Sequence, residues 1–199
     1  DAMGYTCGLW YLFHIVTVGV VEWNSHTASA SHRFPLEEVA DHIADYIEEF
    51  FGCAECRHHF LAAYEACAFH RCHRLGENTA DDTDWKQLPL WLWETHNAVN
   101  VRLMKERAAR EGTPEVERKL VEWPSREACP LCWKDDIGWY DPDVVWKYLR
   151  MEYWPDDAET RSFREELLES IKSGGSGTST NPEAGSTNPE AEVLSTDSV

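Results

Sequence analysis

Apolar positions repeat every three or four residues along most of this chain, and they nearly vanish after Ser173. From Gly8 to Val21 the chain is apolar almost all round, with Trp10, Tyr11, Leu12, Phe13 and Ile15, which predicts a buried helix. That run contains His14 and is too short to span a bilayer. Asn24 to Arg33 lacks periodicity and reads as a loop. Pro35 opens a second helix, where Val39, Ile43, Ile47 and Phe50 recur at helical spacing and Gly52 marks the end. A third helix is expected from about Cys53 through Tyr64 to about Cys67, followed by a polar loop from Gly76 to Thr83. Asp84 is a candidate N-cap for the longest helix, Trp85 to about Arg110, with Pro89 in its first turns. Glu111 to Pro124 is a charged connection. Asp141-Pro142 opens a fifth helix that Trp154-Pro155 ends, and Glu159 to Ile171 carries a last one through Phe163, Leu167 and Ile171. No stretch reads as a strand, so the expected class is an all-α helical bundle. From Ser173 on, Gly, Ser, Pro and Glu dominate, and Ser-Thr-Asn-Pro-Glu-Ala occurs at Ser179 and again at Ser186. This is expected to be a disordered tail over 173–199.

Composition narrows the function classes. The chain has 199 residues and a formal net charge of −18, a sign that repels nucleic acid. Ten tryptophans exceed what a core of this size needs and suggest aromatic walls around a flat ligand. Seven cysteines are too many for an ordinary cytosolic domain that makes no use of them. Six group locally, as Cys53-x-x-Cys56, Cys67 with Cys72, and Cys129-x-x-Cys132. Cys7 stands alone, which suggests that its partner lies outside this sequence.

Two stretches carry candidate chemistry. Cys53-Ala-Glu-Cys56 sits near a helix N-terminus, where the dipole stabilises a thiolate. Trp93, His96, Asn97 and Asn100 share one face of the long helix. Burying that face is costly unless something satisfies it, and a polar ligand with aromatic walls would do so. Trp10 and His14 also share a face, as core residues or as two contacts to one ligand. Three readings follow. One is a thiol–disulfide redox enzyme whose two-electron acceptor is a flavin between tryptophans. Another is a zinc module using Cys53, Cys56, His58 and His59, or Cys67, His70, Cys72 and His73. The third is a disulfide-stapled helical interaction module without catalysis.

In order along the chain stand Cys7-Gly-Leu-Trp10-x-x-x-His14, Cys53-x-x-Cys56-x-x-His59-Phe60, Trp91-Leu-Trp93-x-x-His96-Asn97-x-Val99-Asn100, then Trp123-Pro124 and Cys129-Pro-x-Cys132. This series resembles the FAD-binding Erv/ALR sulfhydryl oxidase domain, and looks most like its quiescin sulfhydryl oxidase branch. The resemblance covers about Gly4 to Trp154. It implies a domain over 4–155, a terminal helix over 156–172, and a four-helix bundle with an additional short helix. It also implies FAD as cofactor, and oxidation of protein or small-molecule thiols to disulfides with reduction of O2 to H2O2. Cys56 would be the flavin-proximal thiol and Cys53 the interchange thiol that meets the substrate. Trp10, His14, Glu55, His59, Trp93, His96, Asn97, Val99, Asn100, Lys119 and Trp123 match cofactor-contacting positions, and no metal is implied. Expected disulfides are Cys53–Cys56, Cys129–Cys132 and Cys67–Cys72.

The sequence departs from the family pattern at two positions. Met3 stands where the family usually has a phosphate-holding Arg, and Leu120 stands where it often has a Lys, leaving Arg102 or Lys119 for that task. The resemblance further implies an upstream thioredoxin-like domain, pairing as an oligomer or internal pseudodimer, and a secretory-pathway (Golgi or ER) or extracellular location. It leaves membrane anchoring of the full-length chain open.

Overall fold

A computed structural model describes residues 2–76, 84–134 and 139–174. Most of the expected Gly76–Thr83 loop and the repeats of the tail lie outside the described residues, as does the side chain of Met3. The described residues form seven α-helices: α1 Ala2–His26, α2 Leu36–Phe50, α3 Ala54–Glu65, α4 Arg71–Leu75, α5 Gln87–Glu111, α6 Pro142–Tyr153 and α7 Ala158–Gly174. Among them the only β pairing is an isolated antiparallel bridge between Trp133 and Tyr140. The protein is all-α, as the periodicity predicts.

One continuous core takes Leu9 and Phe13 from α1, Ile43 and Ile47 from α2, Phe60 from α3 and Leu92 from α5. Helices α1, α2, α3 and α5 converge on a cleft at one end of this core. Helix α6 packs on α1 and α5, and α7 packs on α6. Val145 and Leu149 of α6 are fully buried, and Phe163 and Leu167 of α7 extend the same core.

Local chemistry sets the helix ends. Asp141 caps α6 as expected, its carboxylate accepting from the backbone N–H groups of Asp143 (3.0 Å) and Val144 (3.4 Å). Asp84 does not cap α5. Its carboxylate takes the Gln87 side chain, Lys86 occupies the N-cap, and the helix starts two residues later than predicted. Pro89, third in the helix, lacks only an N–H that would have no intrahelical partner there. Gly112, with φ +65°, ends α5 in the left-handed region that glycine occupies without a Cβ penalty.

Helix α1 is much longer than its apolar run because tertiary partners satisfy its polar end. Asn24 is fully buried and brackets Phe34, donating to its carbonyl at 2.9 Å and accepting from its N–H at 2.9 Å. Glu22 receives Arg150 Nε at 2.6 Å and Nη2 at 3.1 Å. The expectation of a segment too short for a bilayer is therefore corrected. Over Gly4–His26, α1 is long and apolar enough to cross a membrane by length and composition. Within this fold it is a bundle helix, with His14, Thr17 and Asn24 fully buried. Its outer face remains apolar. Leu12, Val16 and Trp23 join Phe34 and Val39 along a groove of about 570 Å³ between α1 and α2.

Arg150 joins three helices. Besides Glu22 of α1, it binds the carboxylate of Asp157 and the hydroxyl of Thr160, at the start of α7. Asp157 in turn accepts the Thr160 N–H at 2.8 Å. Removing the guanidinium strands Glu22, which is nearly buried, without its cation. Arg150→Met is expected to lower the unfolding free energy by about 3–5 kcal/mol in urea denaturation. A loss within experimental error would show that the network contributes nothing net.

Candidate active site

The first predicted stretch forms a disulfide at the start of α3. Cys53 is the N-cap, and its sulfur accepts the N–H of Cys56 at 3.3 Å. The two Cα atoms are 5.3 Å apart and the sulfurs are bonded. Cys53 is exposed and Cys56 half-buried, so the sulfurs differ in access although they share one bond. Cys56 lines the cleft where the four helices converge, with Trp10, Phe51, Phe60, Val99 and Arg102.

Beside that cleft lies a cluster of rings from α1, α5, α6 and the Glu111–Pro124 connection. Trp10 stacks on His96 with centroids 4.1 Å apart and planes within 5°. His14 Nε2 and His96 Nδ1 are 3.1 Å apart, a hydrogen bond in which one ring donates to the other. Tyr153 stacks on His14 at 4.8 Å, and Trp123 lies 5.6 Å from His14 and 6.2 Å from His96. His14 is fully buried. Burial, and then the neighbouring His96, push its pKa down to about 3, while burial lowers His96 to about 4. Both rings are therefore neutral at pH 7. Burial raises the phenol of Tyr153, and burial followed by Glu152 pushes Tyr148 up to about 12, so both phenols stay protonated.

The polar face of α5 finds its partners within the protein. Asn97 grips the backbone of Trp123 from both sides, donating to its carbonyl and accepting its N–H, each at 2.7 Å. Trp93 Nε1 donates to the same carbonyl at 2.6 Å. The need for something to satisfy this face is met within the protein for Trp93 and Asn97. They anchor the segment that carries the Trp123 ring. One buried polar atom of the ring cluster, His14 Nδ1, has no hydrogen-bond partner.

The predicted residues gather around α5 in more than one place. Trp10, Val99 and Cys56 share the convergent cleft. Trp93, Asn97 and Lys119 line a second cleft of about 1110 Å³, and Asn100 lines a third of about 560 Å³. Lys119 is exposed and 2.6 Å from Glu117, while Arg102 in the convergent cleft lies 2.5 Å from Glu106. Glu55 and His59 face each other across one turn on the exposed side of α3, 3.9 Å apart. The only ring His59 contacts among the described residues is His58. Tyr153 is the site residue that sequence reasoning missed. Its only signal is an aromatic just before the Trp154-Pro155 helix end.

This constellation suits a flat heteroaromatic group. It offers aromatic faces, an unpartnered imidazole nitrogen, one cation and a disulfide sulfur in a single neighbourhood. The convergent cleft itself measures about 80 Å³, below the few hundred Å³ usual for ligand pockets. The Trp10–His96 stack leaves no room between its rings, because an inserted ring needs about 7 Å, twice the ordinary contact distance. A flat group could be accommodated only against the pair or by parting it. The other disulfides lie apart. Cys129–Cys132 is wholly buried, and Cys67–Cys72 closes the turn between α3 and α4. Sulfurs bonded in this way are not available as zinc thiolates.

Two measurements check these assignments. Asn97→Leu leaves the Trp123 N–H without its side-chain partner and its carbonyl with Trp93 alone, and is expected to cost about 1–3 kcal/mol in denaturant unfolding. A neutral effect would rule out the clamp. The two histidines bind protons more weakly folded than unfolded. Their stabilisation is complete above about pH 6.5 and is lost as pH falls toward 4. Between pH 6 and 4.5 the unfolding free energy is expected to fall by about 2 kcal/mol per pH unit. The slope should be shallower in His14→Gln and His96→Gln, and equal slopes would contradict neutral burial.

Against known families, residues 7–121, more than half of the chain, match the Erv1 / Alr family. Similar curated proteins include Sulfhydryl oxidase 1 of Oryza sativa subsp. japonica, 33% identical over 86% of this chain and 30% of its own length. Sulfhydryl oxidase 2 of Arabidopsis thaliana is 32% identical over 78% of this chain and 27% of its own length. Sulfhydryl oxidase 1 of Homo sapiens is 33% identical over 77% of this chain and 18% of its own length. The chain thus spans less than a third of these relatives. No solved structure gives a significant match. With the paired cysteines at a helix start and the ring cluster beside them, this agreement settles the family: the chain belongs to the Erv1/Alr family.

Proposed function

We propose that this domain is an FAD-dependent thiol oxidase that converts dithiols to disulfides and passes the electrons to O2, giving H2O2. The observation that carries the reading is the unequal placement of one bonded pair, Cys53 exposed and Cys56 half-buried in the cleft it shares with Trp10. In this reading a substrate thiolate attacks the accessible Cys53 sulfur. The S–S bond breaks, and Cys56 leaves as a thiolate near the N-terminus of α3, where the helix dipole stabilises it. The second substrate thiol attacks the mixed disulfide, releases Cys53, and departs as a disulfide. The pair then holds two electrons. Bound FAD supplies the acceptor for that electron pair and its transfer to oxygen.

The chain's own residues prepare the site for this chemistry. Trp10, His96 and Trp123 offer aromatic faces to a flat ring, and His14 Nδ1 offers a polar contact. Arg102 lines the same cleft as Cys56 and is the cation best placed for an anionic portion of the cofactor. Lys119 serves only a ligand that reaches the second cleft. Three disulfides support an oxidising compartment, in the secretory pathway or outside the cell. The apolar groove between α1 and α2 supports packing against another folded unit, either a second copy or a neighbouring domain of a longer protein.

The purified domain is expected to show an oxidised-flavin absorption band and to oxidise dithiothreitol with stoichiometric H2O2. It should act poorly on reduced proteins unless joined to a dithiol-bearing domain. Cys53→Ser and Cys56→Ser should each cut turnover by at least about 100-fold while keeping the band. A colourless protein, or a Cys56→Ser variant with undiminished turnover, would refute the assignment.

A further inference from the structure

The turn between α3 and α4 holds a disulfide that the catalytic reading does not use. Cys67 and Cys72 are bonded with Cα atoms 5.4 Å apart. Three residues within or at the edge of this loop take left-handed backbone angles: Cys67 at φ 53°, Phe69 at φ 57° and His70 at φ 59°. None is glycine, and for each the Cβ crowds its own backbone. Helix α3 accordingly stops at Glu65, and the chain resumes as α4 at Arg71. Ala66, Cys67, Ala68 and Phe69 include no Gly or Pro, so no residue of this turn takes left-handed angles without a Cβ penalty.

The three disulfides also differ in access. Cys129 and Cys132 are completely buried. Cys72 is exposed and Cys67 half-buried, an arrangement like that of Cys53 and Cys56. A bond that is reachable and closes a strained backbone opens more readily than a sealed one. Relay to the catalytic pair within one chain is excluded by distance. The twelve residues of α3 separate the two bonds by roughly 20 Å, at about 1.5 Å per residue.

We propose that Cys67–Cys72 is a second thiol-exchangeable disulfide, opened by dithiols in the folded protein, whose closure holds the α3–α4 turn in its left-handed form. A dithiol thiolate attacks the exposed Cys72 sulfur, the S–S bond breaks, and Cys67 leaves as a thiolate. The second thiol of the reductant then attacks the mixed disulfide and frees Cys72. Two electrons and two protons pass to the protein, and the reductant becomes a disulfide.

The turn is wired to the long helix. Arg74 donates to the Phe69 carbonyl at 3.1 Å, to Glu94 at 2.7 Å and to Gln87 at 2.7 Å. Phe69 and Glu94 line the cleft that also holds Trp93 and Asn97. Opening the bond releases Phe69 from the geometry in which its carbonyl meets Arg74, so the state of this disulfide reaches the wall of that cleft.

The test is redox mapping under nitrogen, where oxidase turnover cannot reset the bonds. The protein is equilibrated with dithiothreitol buffers, trapped with an alkylating reagent and read by peptide mass spectrometry. Wild type and the Cys53→Ser/Cys56→Ser variant are compared, so the outcome does not depend on oxidase activity. Cys67–Cys72 is expected to open while the fold persists and Cys129–Cys132 stays closed. Opening of both bonds only together, on unfolding, would overturn the proposal. Phe69→Gly and Phe69→Ala both delete the ring, but only glycine relieves the left-handed backbone. The glycine variant should open about fivefold less readily than the alanine variant at the same buffer ratio. Equal opening would remove backbone strain as the cause.

Discussion

The contact between His14 and His96 is the constraint around which this bundle is arranged. It joins α1 to α5, and it needs at least one neutral ring, because two buried imidazolium groups 3.1 Å apart would repel in a medium that screens them poorly. The surroundings enforce neutrality. Trp10 covers His96, Tyr153 covers His14, and Trp123 closes the side. One proton shared between two facing nitrogens couples the tautomers, so fixing one ring fixes the other. The Asn97 grip on Trp123 belongs to the same construction. It holds an irregular segment against α5 with a pair of hydrogen bonds that resembles one rung of a strand ladder.

Three cysteine pairs of similar short spacing meet three different fates, and environment decides among them. Cys129–Cys132 sits in a short 3-10 turn with no exposure, on the approach to α6. Cys53–Cys56 straddles a helix start with one sulfur outside and one facing the cleft. Cys67–Cys72 closes the left-handed turn between α3 and α4. Spacing says that each pair can bond. Only burial and backbone conformation say what the bond does.

The helices were largely legible because most bury a periodic face, as α2 does with Leu36, Ala40, Ile43 and Ile47. The cap at Asp141 was legible for the same local reason. The true length of α1 was not, since it depends on Glu22 and Asn24 finding partners more than a hundred and about ten residues away. Helix α4 was hidden by its brevity and by the disulfide beside it. Within the site, the motifs named residues that do surround α5, but not their roles. The hold of Asn97 on the backbone of Trp123 was not legible, because a backbone partner leaves no mark in a sequence pattern. Glu55 and His59 pair with each other on the outside of α3, a placement that periodicity alone does not separate from the cleft-facing side.

Cys53 does two jobs with a single atom. Its sulfur is half of the disulfide and also the acceptor that terminates α3. When the bond opens to a thiolate, that acceptor gains charge at the positive end of the helix, and the cap becomes stronger. Reduction therefore tightens the first turn of α3, and the helix favours the electron-loaded form of the pair. The folding energy of one helix end is thus coupled to how readily this disulfide accepts electrons.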